Sequence, residues 1–149
     1  MSGKKKRRPK YHRDPMASLI LLGRATMGSA NDAGRQAVIR TMFDRLRGGE
    51  GDPADFDKVC MALNVASVRA HEIDSDTLKR TLSDGHMAMT ECRRRYVESE
   101  RFGFTGPEIV AMLDALDAYE AIEQASSDLQ MEQAWNTAKR SLELQKGNV

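Results

Sequence analysis

The sequence predicts an all-α protein, a bundle of five to six mostly antiparallel helices with an extended, basic N-terminal arm. Its 149 residues are enough for one domain with a single core, and 40% hydrophobic with 30% charged residues is typical of a soluble globular protein. Leu, Met, Ala, Arg and Glu favour helix, and β-branched residues never cluster in an alternating run. The clearest helical spacing is carried by apolar or small residues three or four positions apart: Leu78, Leu82, Gly85, Met89, Cys92 and Tyr96.

The first 14 residues are predicted to be a flexible basic arm, and residues 15–149 a single helical domain. Like charges repel one another along the arm and find no apolar partner there, so we expect it to be extended. Asp14-Pro15 can begin a helix, with Asp as the N-cap and Pro at the first helical position. The apolar segment that follows, residues 16–27, is either three turns of helix or a strap laid across the body, and Gly28-Ser29-Ala30 ends it.

Two further helices are predicted between residues 31 and 72. Asn31 or Asp32 caps the first, which runs to about Arg47 and ends at the glycines of residues 48–51. Asp52-Pro53 repeats the start signal of an N-cap followed by proline. The side chains expected to point inward are Val38, Ile39, Met42, Phe43 and Leu46 in the first helix, and Phe56, Val59, Cys60, Leu63, Ala66 and Ala70 in the second.

The helix at about 75–101 is predicted to be the central one, against which the others pack. Gly85 on its apolar face would let a neighbouring helix approach closely. The C-terminal segment, residues 107–146, would be ~60 Å long as one straight helix. Its apolar periodicity changes phase near residue 127, so we predict a kink or break there, with a long helix reaching into a partner subunit as the alternative. The second phase consists of Met131, Ala134, Trp135, Ala138 and Leu142.

Charge divides the chain into a basic arm and a mildly acidic body. Residues 1–14 carry a net +6, and the remaining 135 residues hold 16 basic and 21 acidic side chains, a net −5. The arm is interpreted as a nucleic-acid contact, as a tail that is solvated or docks on an acidic protein surface, or as a nuclear import signal. Its basic residues are Lys4, Lys5, Lys6, Arg7, Arg8, Lys10 and Arg13.

Two clusters in the body are further candidate contact sites. Three consecutive arginines near the end of the predicted central helix either complement the helix dipole or contact phosphate or carboxylate groups: Arg93, Arg94 and Arg95. The stretch 102–138 has no Lys or Arg and carries four acidic residues at a spacing of three. We expect them to form a solvated face, with docking of a basic partner as the alternative: Asp114, Asp117, Glu120 and Glu123.

Sequence motifs for catalysis or metal binding are not found. The histidines match no zinc spacing, and no nucleophile elbow, phosphate-binding loop or dinucleotide fingerprint occurs. We therefore expect no enzymatic activity, no cofactor and no metal. Cys60 and Cys92 fall on predicted core faces and are interpreted as free thiols in a reducing cytoplasm, with a structural pair in a secreted protein as the alternative. No run of apolar residues, Leu19–Leu22 included, is long enough to span a membrane, and a cytoplasmic location is predicted.

Three stretches carry a resemblance to a class of proteins. They are Arg7-Arg8-Pro9-Lys10-Tyr11, Asp14-Pro15-Met16 and, in a helix, Phe56 followed by Leu63-Asn64. In these the chain resembles small, mostly uncharacterised helical proteins encoded by phages and mobile elements of Gram-negative bacteria. The resemblance implies accessory factors of transcription or replication, or inhibitors of host defence, which act by binding.

We accordingly expect a non-enzymatic, macromolecule-binding protein. The first hypothesis is a small phage or mobile-element accessory factor or inhibitor that acts through protein–protein contacts, for which nine Met residues suit an adaptable surface. The alternative is a nucleic-acid-associated protein that uses the arm and Arg93–Arg95 for phosphate contacts. A homodimer is compatible with both hypotheses.

Overall fold

The computed structural model describes the backbone of residues 30–147 and the side chains of residues 34–144. This part of the chain forms an all-α bundle, as predicted, and contains no strand. The predictions for the basic arm and for residues 15–29 concern residues outside this part of the chain. The five helices are α1 (Ala30–Arg47), α2 (Pro53–Ile73), α3 (Asp76–Ser99), α4 (Gly106–Ala125) and α5 (Asp128–Gly147).

Side-chain caps fix where α2 and α4 begin. The carboxylate of Asp52 accepts a hydrogen bond from the backbone N–H of Asp55 at 2.9 Å, and the carboxylate of Asp55 accepts from the N–H of Asp52 at 3.1 Å. Thr105 and Glu108 form the same reciprocal pair at the start of α4. A proline follows each N-cap within two residues, where its missing N–H is not needed. The predicted start at Asp52-Pro53 is confirmed.

The helix in the middle of the bundle is α2, because it packs against each of the other four. The prediction that residues 75–101 form the central helix is wrong in this respect, although α3 covers most of that range. The physical reason is that α2 is apolar on two sides. Val59 and Leu63 lie in the main core, while Val65 belongs to a second cluster with Ala134 and Ala138 of α5.

The chain breaks between α4 and α5 at the point where the apolar periodicity changes phase. Hydrogen bonds stabilise the break: the hydroxyl of Ser127 accepts from the N–H of Gln130 at 3.1 Å, and the side-chain oxygen of Gln130 accepts from the N–H of Ser127 at 2.9 Å. The guanidinium of Arg69, which is buried, donates to the hydroxyl of Ser126 at 3.0 Å. These contacts turn α5 back along α2 rather than letting α4 continue.

Gly85 lets α3 and α4 approach each other closely. A Cβ atom placed on Gly85 would lie 2.5 Å from the Cβ of Ala115, and 3.5 Å from a methyl group of Leu63. No side chain fits there without moving a helix, so the predicted role of Gly85 is confirmed. By contrast, a Cβ at Gly34 in α1 would meet no atom within 4 Å.

These two glycines make a matched pair of substitutions for measuring that constraint. Gly85→Leu should lower the free energy of unfolding by ~1–3 kcal/mol, because it overpacks the α3–α4 contact. Gly85→Ala should also destabilise, whereas Gly34→Ala should stabilise by up to ~1 kcal/mol through helix propensity alone. Urea denaturation measures all three. An unchanged midpoint for Gly85→Leu would mean that this face of α3 is not inside.

Candidate functional site

Three residues of the acidic stripe of α4, Asp117, Glu120 and Glu123, pair with arginines of α1, although Asp117 stays 60% exposed. The guanidinium of Arg40 donates to Asp117 at 2.6 Å and to both carboxylate oxygens of Glu120 at 2.7 and 3.0 Å. The hydrogen bond to Glu120 is the main cause that raises the pKa of Arg40 above its ordinary value. Asp117 and Glu120 are thus paired with an arginine of the same chain.

Glu123, at the end of the stripe, is buried, with 3% of its surface exposed. Its carboxylate accepts hydrogen bonds from Arg35 at 3.1 Å, from Gln36 at 2.9 Å and from the hydroxyl of Tyr119 at 3.2 Å. These donors satisfy a charge that would be costly to bury alone. Asp114 is exposed, so contact with a basic partner stays a prediction for that residue.

The arginine cluster of α3 is also mostly engaged within the chain. Arg95 donates to both oxygens of Glu108 at 2.7 and 2.8 Å and to the carbonyl of Gly103 at 3.0 Å, which ties α3 to the start of α4. Arg94 forms ion pairs along its own helix, and Arg93 is exposed. Phosphate contact by this cluster therefore stays a prediction that centres on Arg93. The partners of Arg94 are Glu91 and Glu98.

A groove of about 920 Å³ lies between α1, α2 and α5, and α4 contributes to its lining. Its volume is in the range of pockets that bind ligands. We call it the α1–α2–α5 groove. Its apolar lining consists of Val38, Ile39 and Met42 from α1, Met61, Ala62 and Val65 from α2, and Met131 and Trp135 from α5.

Two of the side chains that line the groove are about half exposed, Val38 at 50% and Trp135 at 48%. The prediction that Val38 points into the core is wrong, because α1 and α5 each pack on α2 and Val38 faces the space between them. The buried residues of α5 that pack on α2 are small, Ala134 and Ala138, and the partly buried Met131 packs beside them.

Charged side chains line the same groove. Arg35 and Glu123 neutralise each other in the ion pair described above. The others are three carboxylates and one ammonium group, so the groove has an acidic character. They are Asp57, Lys58, Asp128 and Glu132.

A serine hydroxyl and a histidine ring meet between α2 and α3. Ser67 Oγ of α2 lies 3.2 Å from His86 Nε2 of α3, inside two uninterrupted helices. Burial lowers the pKa of His86, which favours the neutral imidazole. Burial also raises the pKa of Cys60 to about 12 and that of Cys92 above its usual value, so both free thiols stay protonated at neutral pH. Neither thiol is therefore activated as a nucleophile.

Within residues 34–144 no three His, Cys, Asp or Glu side chains come together as a metal site would require. Nor does any helix of the described part have the length and apolarity to cross a bilayer. Comparison with protein families, with curated proteins and with solved structures finds no match to this chain.

The ion pair between Arg95 and Glu108 predicts how stability depends on pH. Arg95 holds the pKa of Glu108 below its usual range, so the pair stabilises the fold fully above the ordinary glutamate pKa of roughly 4.3 and is lost as pH falls through the lower, folded-state pKa. Glu108→Gln should cost ~1 kcal/mol at pH 7, and the cost should shrink towards pH 3.

Urea denaturation of the unaltered chain and of Glu108→Gln at both pH values measures this difference. Glu98→Gln is the control, because Glu98 pairs with Arg94 on the exposed surface of a single helix. A deficit for Glu108→Gln that is the same at pH 3 as at pH 7 would contradict the assigned role of the pair.

Proposed function

We propose that this protein is a non-enzymatic protein-binding module whose α1–α2–α5 groove receives the apolar face of an amphipathic helix with basic residues. The observation that carries the proposal is the groove itself: an open apolar trough that exposes Val38 and Trp135 and is lined by three methionines. Methionine side chains are flexible and polarisable, which suits a surface that adapts to a helix. Helices commonly dock into grooves of this kind.

The length of the groove fits a helix-in-groove contact. Along α1 it extends at least from Gly34 to Met42, eight residue steps, or ~12 Å. That is slightly more than two helical turns, which is the span of three or four anchoring side chains at i, i+3 or i+4, and i+7.

The charges of the groove favour a basic helix over an acidic one. Three carboxylates lie along it against one lysine, as the Arg35–Glu123 pair is already neutral. Complementary charge increases the association rate and disfavours wrong partners. A helix with Lys or Arg beside its apolar face would satisfy Asp57, Asp128 and Glu132.

The nucleic-acid hypothesis finds less support among the described residues. Arg94 and Arg95 are committed to carboxylates of the same chain, and the basic arm lies outside the described residues. The hypothesis of a phage or mobile-element accessory factor or inhibitor stays a prediction, and binding of a partner helix is the kind of action that it implies.

A synthetic amphipathic leucine–lysine peptide tests the proposal on the full chain. Trp135 is the chain's single tryptophan and lines the groove, so its fluorescence reports binding directly. We expect a saturable blue shift at one peptide per chain. The matching leucine–glutamate peptide should bind at least about tenfold more weakly, a difference of about 1.4 kcal/mol.

A pair of identical substitutions localises the binding site. Val38→Arg places a long cation in the groove and should weaken binding of the leucine–lysine peptide at least about tenfold. Val97→Arg is the control, because Val97 is 74% exposed on α3 and does not line the groove. Equal affinity of the two variants, or the absence of any saturable shift, would overturn the proposed function.

A further inference from the structure

We infer that the α1–α2–α5 groove orients its partner by charge: the basic end of the docked helix lies beside Asp128 and Glu132, where α1 and α5 begin. The inference rests on the proposed function, because it concerns the direction in which the same helix lies. It describes the partner more narrowly, as an amphipathic helix whose Lys or Arg residues cluster at one end.

The helices that form the groove place two helix starts at the same end of it. Arg35, in the second turn of α1, contacts Glu123 near the end of α4 at 3.1 Å, and α5 begins soon afterwards at Asp128. The first turns of α1 and α5 therefore both lie beside the end of α4. Helix α2 runs the other way, because its start is tied to the end of α1 by the pair between Arg45 and Asp55 at 3.0 Å.

The end of the groove where α1 and α5 begin is acidic. Asp128 and Glu132 lie in the first two turns of α5, and both are exposed and line the groove. Among residues 34–144 no salt bridge involves either carboxylate. Arg35, which lines the groove at this end, is paired with Glu123. Two carboxylates beyond that neutral pair are thus open to a cation of the docked helix.

The opposite end of the groove is balanced in charge. Asp57 is followed directly by Lys58, and both line the groove. A shallower depression of about 310 Å³ adjoins the groove along α1, and it is lined by the ion pair between Arg45 and Asp55. Each carboxylate at this end is therefore accompanied by a cation, and a basic residue of the docked helix gains less here than beside α5.

Between the two ends the groove is apolar, with a lining that includes Val38, Met61, Val65 and Trp135. Apolar anchors bind such a surface whichever way the helix points, because the hydrophobic effect is not directional. The carboxylates at one end distinguish one direction of the helix from the other. A helix with Lys or Arg in its last turns, where its own dipole favours cations, would thus run opposite to α1.

Two peptides of identical composition test this direction on the full chain. Both carry the same leucine anchors, and their lysines cluster in the last turns of one and in the first turns of the other, with a nitroxide at the lysine end. We expect both nitroxides to broaden the methyl signal of Met131, near the start of α5, more than that of Met42, towards the end of α1. Moving the nitroxide to the other end of either peptide should reverse the order. Equal broadening of the two methyl groups, or broadening that follows one terminus of the peptide rather than the lysines, would overturn the inference.

Neutral substitutions test whether Asp128 and Glu132 set the direction. Asp128→Asn with Glu132→Gln should weaken binding of both peptides only about fivefold, because exposed ion pairs are individually weak, and should abolish the preferred direction. The control is Asp84→Asn with Glu100→Gln, which changes the net charge equally at exposed positions outside the groove and should leave both measurements unchanged. Equal affinities and the same direction of binding in the two variants would contradict the inference.

The outcomes separate this inference from the proposed function. Saturable binding of both peptides that Val38→Arg weakens, but that shows no preferred direction, would overturn the inference and leave the proposed function standing. The absence of a saturable blue shift of Trp135 with either peptide would overturn the proposed function, and the inference with it.

Discussion

The architecture depends on α2 being apolar on more than one side. Leu63 is fully buried in the main core, and Val65, two residues later, is buried against α5. A helix with two apolar faces needs more neighbours than a helix with one. All four other described helices therefore pack on α2, and α1 and α5 approach it from directions that leave a trough between them. The groove is a consequence of how the core is built.

Two different kinds of contact hold the walls of this groove. Helix α1 is attached to α4 by ion pairs, with Arg40 to Asp117 and Glu120 and with Arg35 to Glu123. Helix α5 is attached to α2 by small apolar residues and by the hydrogen-bonded turn at Ser126 and Ser127. Val38 and Trp135 lie on these walls with about half of each side chain exposed, which leaves apolar surface for an occupant.

The sequence predicts local features well and the arrangement of helices less well. The cap at Asp52, the break near residue 127 and the close approach at Gly85 are encoded in a few neighbouring residues, and the structure shows each of them. The spacing of apolar residues does not indicate which helix lies in the middle of the bundle. Nor does it indicate which basic side chains pair with the acidic stripe. Those outcomes depend on residues far apart in sequence, such as Arg40 and Glu120, and the groove is likewise assembled from four helices.

The central claim is that the α1–α2–α5 groove receives the apolar face of an amphipathic helix. Nuclear Overhauser contacts between methyl groups measure this most directly in a mixture of the full chain and the leucine–lysine peptide. The account predicts contacts from the leucine methyl groups of the peptide to Met61 and Met131. Their absence, with the groove methyl groups open to a soluble paramagnetic probe, would contradict it.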